Sequence, residues 1–131
     1  AGTLFNLAGI RWKAGRPEDA MALFAEAQDL YVEQEQYETA AECAAWQGAC
    51  AARRGMRRSS LGSFARAEAL LVKSREPAMR VEALRNLADA ERTAGRRAAA
   101  RRHLELAIVQ ARAARLPELA AKLVGERKTF A

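Results

Sequence analysis

Few residues of the chain have the side-chain types that catalysis or metal binding requires. The sequence contains one histidine, His103, and two cysteines, Cys43 and Cys50. A catalytic base needs oriented partners, and a metal site needs three or four ligands at suitable spacing. The charged neighbours of His103 in sequence are arginines and Glu105, and the cysteines lie in a different part of the chain. We therefore expect His103 to be a structural or surface residue, and we predict no catalytic residue, no metal site and no cofactor.

The two cysteines are too far apart for a disulfide. They are separated by seven residues, which corresponds to about 10 Å along one helix at a rise of about 1.5 Å per residue. A disulfide requires Cα atoms closer than about 7 Å. We interpret Cys43 and Cys50 as small, buried apolar residues in a reducing compartment.

Other signatures of enzymes and membrane proteins are also missing from the sequence. No glycine-rich loop suited to phosphate binding is present, and no serine or cysteine has an evident base. The acid pairs Glu18/Asp19 and Glu33/Glu35 fit a helix start and an exposed helix face. No apolar run approaches the ~18 residues of a membrane span. We predict a cytoplasmic protein that is not an enzyme and does not enter a membrane.

Charge is distributed unevenly along the chain. The net charge is +6, but residues 1–50 hold eight acids and three bases, whereas the rest holds 19 bases and eight acids. Such asymmetry can indicate an acidic partner. The alternative explanation of the basic charge is genome composition. Arginine far outnumbers lysine and alanine is abundant, which is typical of a protein from a GC-rich bacterial genome.

The amino-acid composition indicates that helices position the histidine, the cysteines and the charged residues named above. Alanine is very abundant, and the strong helix formers Leu, Arg, Glu and Gln accompany it. The β-branched residues that favour strands are scarce. The sequence therefore predicts an all-α protein.

A spacing of 40 residues recurs from one end of the chain to the other. Gly15, Gly55 and Gly95 define it. Aligned on these glycines, other positions also match in type: Ala20, Ser60 and Ala100; Phe24, Phe64 and Leu104; Ala27, Ala67 and Ala107; Tyr37, Pro77 and Pro117; Ala44, Leu84 and Val124. Internal repetition of this kind indicates a stack of similar structural units.

Each unit has the pattern of two helices. In the third unit, Pro77 is placed to open a helix whose apolar stripe ends at Gly95, and a second helix is predicted from about Arg97 to Ala113. The first unit gives helices over residues 4–14 and 17–32, and a last helix is predicted over about 118–130. Connections of two or three residues make the paired helices antiparallel.

The second helix of each unit carries a small–large–small triplet. In the first unit it consists of Ala20, Phe24 and Ala27. The alanines allow a neighbouring helix to approach closely, and the phenylalanine fills the gap between helices. A single hairpin cannot bury its apolar face, so neighbouring units must cover it.

These motifs resemble the tetratricopeptide repeat family. The family pattern is W-x2-L-G-x2-Y, then Gly, then A-x3-F-x2-A. The matches are Leu4, Leu7, Ala8, Gly15, Ala20, Phe24 and Ala27 in the first unit; Ala44, Gly48, Gly55, Ser60, Phe64 and Ala67 in the second; and Leu84, Leu87, Ala88, Gly95, Ala100, Leu104 and Ala107 in the third. The resemblance covers nearly the whole chain.

The sequence also departs from that family. Arg11, Ala51 and Glu91 replace the usual aromatic residue of the first helix, and the spacing is 40 residues where 34 is common. HEAT-type repeats, with spacings near 40, are the fold alternative. The resemblance implies a right-handed α-solenoid of three antiparallel helical hairpins plus a C-terminal helix. The predicted single domain spans 1–131, with units at about 1–36, 37–76 and 77–116 and a final helix at 117–131.

The resemblance further implies a concave groove lined by the first helices, which would bind a peptide or protein segment. The predicted groove residues are Phe5, Asn6, Trp12, Trp46, Arg53, Arg85, Asn86, Asp89 and Arg92. Tryptophan and arginine are enriched at binding hot spots. We expect Arg85 and Asn86 to clasp a carboxylate and an amide. The alternative for Trp12 and Trp46 is simple packing between adjacent first helices.

Two other functions compete with peptide binding. Arginines cluster at the hairpin turns in a predicted basic ridge consisting of Arg54, Arg57, Arg58, Arg96 and Arg97. Such a ridge can hold nucleic-acid phosphates, although the solvated face of a helical protein gives the same pattern. The other function is self-association into a homo-oligomer through the oppositely charged ends or the last helix.

The expected role is thus a protein–protein interaction module with a protein or peptide partner, which is acidic if the charge asymmetry reflects binding. The chain lacks an initiator methionine and ends in a helix that has no pair. We therefore expect it to be part of a larger bacterial regulator or scaffold.

Overall fold

A computed structural model describes residues 2–130, and within them the chain is all-helical. The α-helices are α1 (Gly2–Lys13), α2 (Pro17–Glu33), α3 (Tyr37–Arg53), α4 (Arg57–Val72), α5 (Pro77–Thr93), α6 (Arg97–Ala113) and α7 (Pro117–Arg127). A short 3₁₀ helix, Lys128–Phe130, follows α7. No strand occurs among these residues. The predicted all-α class is confirmed.

The connections that follow α1, α3 and α5 are alike. Gly15, Gly55 and Gly95 have φ angles of +75°, +72° and +81°, a left-handed conformation that glycine adopts without steric cost. The residue after each glycine donates its backbone N–H to a carbonyl five positions back, at 2.8–2.9 Å. This is the Schellman type of helix end, and it turns the chain directly into the next helix.

The connections that precede α3, α5 and α7 are not all alike. Glu35 and Arg115 adopt the left-handed conformation, with φ of 58° and 59°, although neither is glycine. Arg75 occupies the same repeat position, but α4 ends one residue earlier in the repeat and residues 73–76 form a longer, more extended link. Glu76 at its end has φ −101° and ψ 104°.

Helices pack mainly against their neighbours in sequence, as in repeat proteins. In addition, α3 packs against α5, and α3 is the most enclosed helix, with ten of its 17 residues buried. Every member of the three small–large–small triplets is buried. The large members are Phe24, Phe64 and Leu104, and each lies in the core between helices.

Two contacts bring α3 and α4 especially close. A Cβ placed on Gly48 would lie 2.7 Å from the ring of Phe64, so only glycine fits there without movement. The Ser60 hydroxyl donates a hydrogen bond of 2.7 Å to the Gly48 carbonyl. Cys43 and Cys50, on the same helix, are buried free thiols, in agreement with the prediction that they do not form a disulfide.

The irregular link at residues 73–76 has a structural consequence. Helices α4 and α5 contact each other much less than the other consecutive helices do. A cleft of about 330 Å³ opens beside them, lined by residues of α4, α5 and α6 together with Ser74.

Within residues 2–130, every helix is too short or too polar to cross a membrane.

Candidate functional site

Side chains of α1, α3, α5 and α7 are linked in a row across one side of the molecule. Trp12 of α1 contacts Trp46 of α3. Asn86 of α5 donates a hydrogen bond of 2.7 Å to Glu42 of α3. Arg85 of α5 pairs with Glu126 of α7 at 2.8 Å. We call the surface formed by Trp12, Glu42, Trp46, Arg85, Asn86 and Glu126 the odd-helix face, and it includes several of the predicted groove residues.

The most apolar part of the odd-helix face is its tryptophan pair. The ring centroids of Trp12 and Trp46 are 6.0 Å apart, with planes tilted by 59°. The guanidinium carbon of Arg53 lies 4.2 Å from the Trp12 ring centroid, a cation–π contact. Both indoles are half-buried and Arg53 is exposed. The rings therefore pack between α1 and α3 while leaving part of their surface accessible.

Phe5 and Asn6 differ from each other in environment. The Phe5 ring meets the Phe24 ring edge to face, with centroids 5.5 Å apart, and is half-buried. Asn6 is exposed. Phe5 thus contributes mainly to the packing of α1 on α2.

Arg85 and Asn86, predicted to clasp a ligand, already have partners within the protein. Arg85 donates from Nε to both carboxylate oxygens of Glu126, at 2.8 and 2.9 Å. These hydrogen bonds raise the pKa of Arg85 above its ordinary value. Burial raises the pKa of the Glu42 carboxyl group that accepts from Asn86. A ligand that used either side chain would have to replace an existing contact.

Asp89 and Arg92 lie further along α5 than Arg85 and Asn86. Their charged groups are 3.8 Å apart, and both side chains are substantially exposed. The Arg92 guanidinium also lies 4.8 Å from the Phe130 ring centroid. Arg92 therefore holds the 3₁₀ helix against α5.

The predicted basic ridge is not uniform. Arg57, Arg58 and Arg97 are exposed. Arg54 lies 3.6 Å from Glu18. Arg96 is turned inward: its guanidinium stacks 4.8 Å from the Phe64 ring centroid and contacts a carboxylate at 3.4 Å.

The carboxylate that Arg96 contacts belongs to Glu91. Glu91 is part of a cluster that was not predicted from the sequence. Glu91 is fully buried, at 0% exposure, in the last turn of α5. His103 Nδ1 of α6 lies 2.6 Å from Glu91 Oε1. His103 Nε2 lies 3.4 Å from Glu68 Oε1 of α4, at the edge of the cleft. We call Glu68, Glu91 and His103 the α4–α6 cluster.

One signal in the sequence pointed to this cluster. Glu91 lies three residues after Ala88 on the apolar stripe of α5 and occupies the repeat position that Ala51 fills in α3. Ala51 is itself fully buried. A carboxylate at a core position needs a hydrogen-bonding partner. The spacing along the chain did not identify that partner, because His103 comes from another helix.

Comparisons with models of known protein families, with curated proteins and with solved structures give no match to this chain.

Proposed function

We propose that the protein is an interaction module that binds an extended segment of another protein along the odd-helix face. The observation that carries the proposal is the half-buried pair of Trp12 and Trp46, with the exposed Arg53 stacked on it. Aromatic and arginine side chains dominate binding energy where they can exclude water from a contact. The pair supplies a rigid apolar platform beside a positive charge.

The proposal includes a tetratricopeptide-like arrangement of the helices. The pairs α1–α2, α3–α4 and α5–α6 would be antiparallel hairpins stacked as a right-handed superhelix, with α7 last. Support comes from the left-handed glycines 40 residues apart and from the contacts that join alternate helices across one face. In such an array the first helices line the concave side.

The chemistry of the face favours a partner segment with apolar and acidic side chains. An apolar side chain would cover the exposed edges of the indoles. Its acidic neighbours would pair with Arg53 and with the exposed Lys13, one residue beyond Trp12. Binding would thereby add contacts without separating Arg85 from Glu126 or Asn86 from Glu42.

A random-peptide display library selected on the wild-type protein tests this proposal. We expect apolar–acidic peptides to be enriched, and we expect Trp46→Ala and Arg53→Ala each to weaken binding of a selected peptide by about 10-fold or more. Arg57→Ala is the matched control, because Arg57 is exposed on the basic ridge. Circular dichroism verifies that each variant is folded.

Two results would refute the placement of the groove. One is equal binding of the selected peptides by wild type, Trp46→Ala and Arg53→Ala. The other is a partner, captured from the native host and identified by mass spectrometry, whose binding neither substitution changes.

The competing functions make different predictions. Nucleic-acid binding through Arg57, Arg58 and Arg97 would weaken steeply between low and moderate salt concentration. Self-association would raise the mass measured by light scattering as protein concentration rises. Because Arg96 is turned inward, the basic ridge has fewer free positive charges for phosphates than the sequence predicted. We therefore favour peptide binding over nucleic-acid binding.

A further inference from the structure

The α4–α6 cluster has the arrangement of a metal-binding histidine supported by a buried carboxylate. One ligand atom from each of its three residues lies within 4.8 Å of the other two. The two nitrogens of the His103 ring, however, have contacts of different kinds. The Nδ1 contact with Glu91 is a short hydrogen bond of 2.6 Å. The Nε2 contact with Glu68 is 3.4 Å long, well beyond the roughly 2.7–2.9 Å of a charge-assisted hydrogen bond.

The short contact orients the ring. The Glu91 carboxylate lies between two partners: Oε1 is 2.6 Å from His103 Nδ1, and Oε2 is 3.4 Å from Arg96. With Nδ1 directed at Glu91, the other ring nitrogen, Nε2, faces Glu68. In the tautomer in which Nδ1–H donates to Glu91, the lone pair that can bind a metal is on Nε2. Metal-binding histidines in proteins are commonly oriented by a carboxylate in this way.

The long contact matches the separation of two ligands on one ion. Zinc binds histidine nitrogen and carboxylate oxygen at about 2.0–2.2 Å, and tetrahedral geometry then places two ligand atoms about 3.4 Å apart. Nε2 of His103 and Oε1 of Glu68 are 3.4 Å apart. Among the residues that the structure describes, the ion-pair contact of the Glu68 carboxylate is with His103 and not with a lysine or arginine, so this carboxylate is available to a cation.

The cleft beside α4 supplies space for the ion and its remaining ligands. Glu68 and His103 both line it, together with Ser74 and Arg80. The Ser74 hydroxyl is buried and has no hydrogen-bond partner among residues 2–130. Arg80 is held by Gln110, at 2.8 Å, and by the Ser74 carbonyl, at 3.3 Å. An unpaired hydroxyl in the lining is suited to a water molecule of the hydrated ion.

We propose that His103 Nε2 and the Glu68 carboxylate bind a divalent transition-metal ion such as zinc, with water as the third and fourth ligands, while Glu91 orients the imidazole from behind. The water ligands face the cleft. The site joins α4 to α6 next to the irregular link at residues 73–76. Helices α4 and α5, which this link connects, contact each other less than the other consecutive α-helices do. The site shares no residue with the odd-helix face and does not depend on the proposed peptide binding.

Titration of the full chain with Co²⁺, followed by visible absorption, tests the site, and calorimetry with Zn²⁺ gives the affinity. We expect one ion per chain with the intense absorption of a tetrahedral cobalt site. Glu68→Gln and His103→Gln should each weaken binding by about 100-fold or more, and Glu91→Gln by about 10–100-fold. Glu26→Gln is the matched control, because Glu26 is exposed on α2.

The decisive variant is Glu68→Gln. Glu68 is exposed, with 52% of its side chain accessible, so its substitution leaves the core intact even if the buried-site variants unfold. Absence of saturable Co²⁺ and Zn²⁺ binding to the wild type would overturn the proposal, as would equal affinity of wild type and Glu68→Gln. It would also fail if nitrogen NMR showed both His103 ring nitrogens still protonated in excess Zn²⁺, because the ring would then simply bridge two carboxylates.

Discussion

At the scale of single residues, Gly48 and Glu91 show how the repeat tolerates exceptions. Position 48 requires glycine because the Phe64 ring occupies the space that a Cβ atom would need. Glu91 replaces a core alanine, and Arg96 and His103 supply the charge and the hydrogen bond that a buried carboxylate requires. In both cases the partner lies in the same two-helix unit.

We predict that Gly48→Ala destabilises the protein by about 1–3 kcal/mol, the usual effect of overpacking a core. Phe64 is almost fully buried, so its ring cannot move aside easily. The control is Gly62→Ala, an exposed position in α4 with open space around it. There alanine should stabilise the protein by about 0.5–1 kcal/mol, because it favours helix more than glycine. Urea unfolding measures both values, and equal effects of the two substitutions would contradict the packing argument.

The two thiols should be unreactive in the folded protein. Burial raises the pKa of Cys43 to about 12 and that of Cys50 to about 11. Only the thiolate reacts, so we expect labelling by a disulfide reagent at pH 8 to be about 100-fold slower than in the unfolded chain, or slower still. Rapid labelling of both thiols in the native protein would disprove this.

The same shifts make stability depend on alkaline pH. The ordinary thiol pKa of 9.0 applies to the unfolded chain, and the folded values are higher. Between pH 9 and about 12 the folded state keeps protons that the unfolded state has lost. The free energy of unfolding should therefore decrease as pH rises through this interval, and be independent of these thiols below it.

At the scale of elements, the helix ends were more predictable than the contacts between helices. Prolines and glycines act locally, so Pro77, Gly95 and Pro117 placed the helix limits within one or two residues of those observed. The α4–α6 cluster could not be predicted in the same way. Its three residues are on three helices, and which helix faces meet depends on rotations that spacing along the chain does not determine.

The left-handed residues between helices give a second test at this scale. Arg115 is exposed and has φ 59°, a conformation that costs a residue with a side chain about 1–2 kcal/mol. We predict that Arg115→Gly stabilises the protein by about 0.5–1 kcal/mol in thermal or urea unfolding. Arg112→Gly, on the exposed face of α6, should instead destabilise it by about 1 kcal/mol. If Arg115→Gly destabilised the protein, the contacts of the Arg115 side chain would contribute more to stability than relief of the left-handed backbone does.

At the scale of the whole molecule, the helix in the middle of the chain is the most enclosed. Helix α3 contacts α2, α4 and α5, whereas α1 packs mainly on α2 and α7 mainly on α6. Repeat proteins open from their ends, because an end unit has a neighbour on one side only. The two tryptophans connect the first end to this central helix.

Hydrogen exchange should show this gradient. We predict that amides of α3 exchange about 100-fold more slowly than those of α1 and α7, a difference of about 3 kcal/mol in local opening free energy. Mass spectrometry of peptic fragments at several exchange times measures it. Uniform protection along the chain would show instead that the molecule opens in a single step.

The link at residues 73–76 gives the molecule an uneven mechanical compliance. A load applied between its two ends would be resisted by tight turns and broad helix contacts at most junctions, but α4 and α5 share little surface. Across this link the packing of α3 on α5 joins the two parts of the molecule. We expect a load there to be carried by that packing and to widen the cleft beside Glu68 and His103.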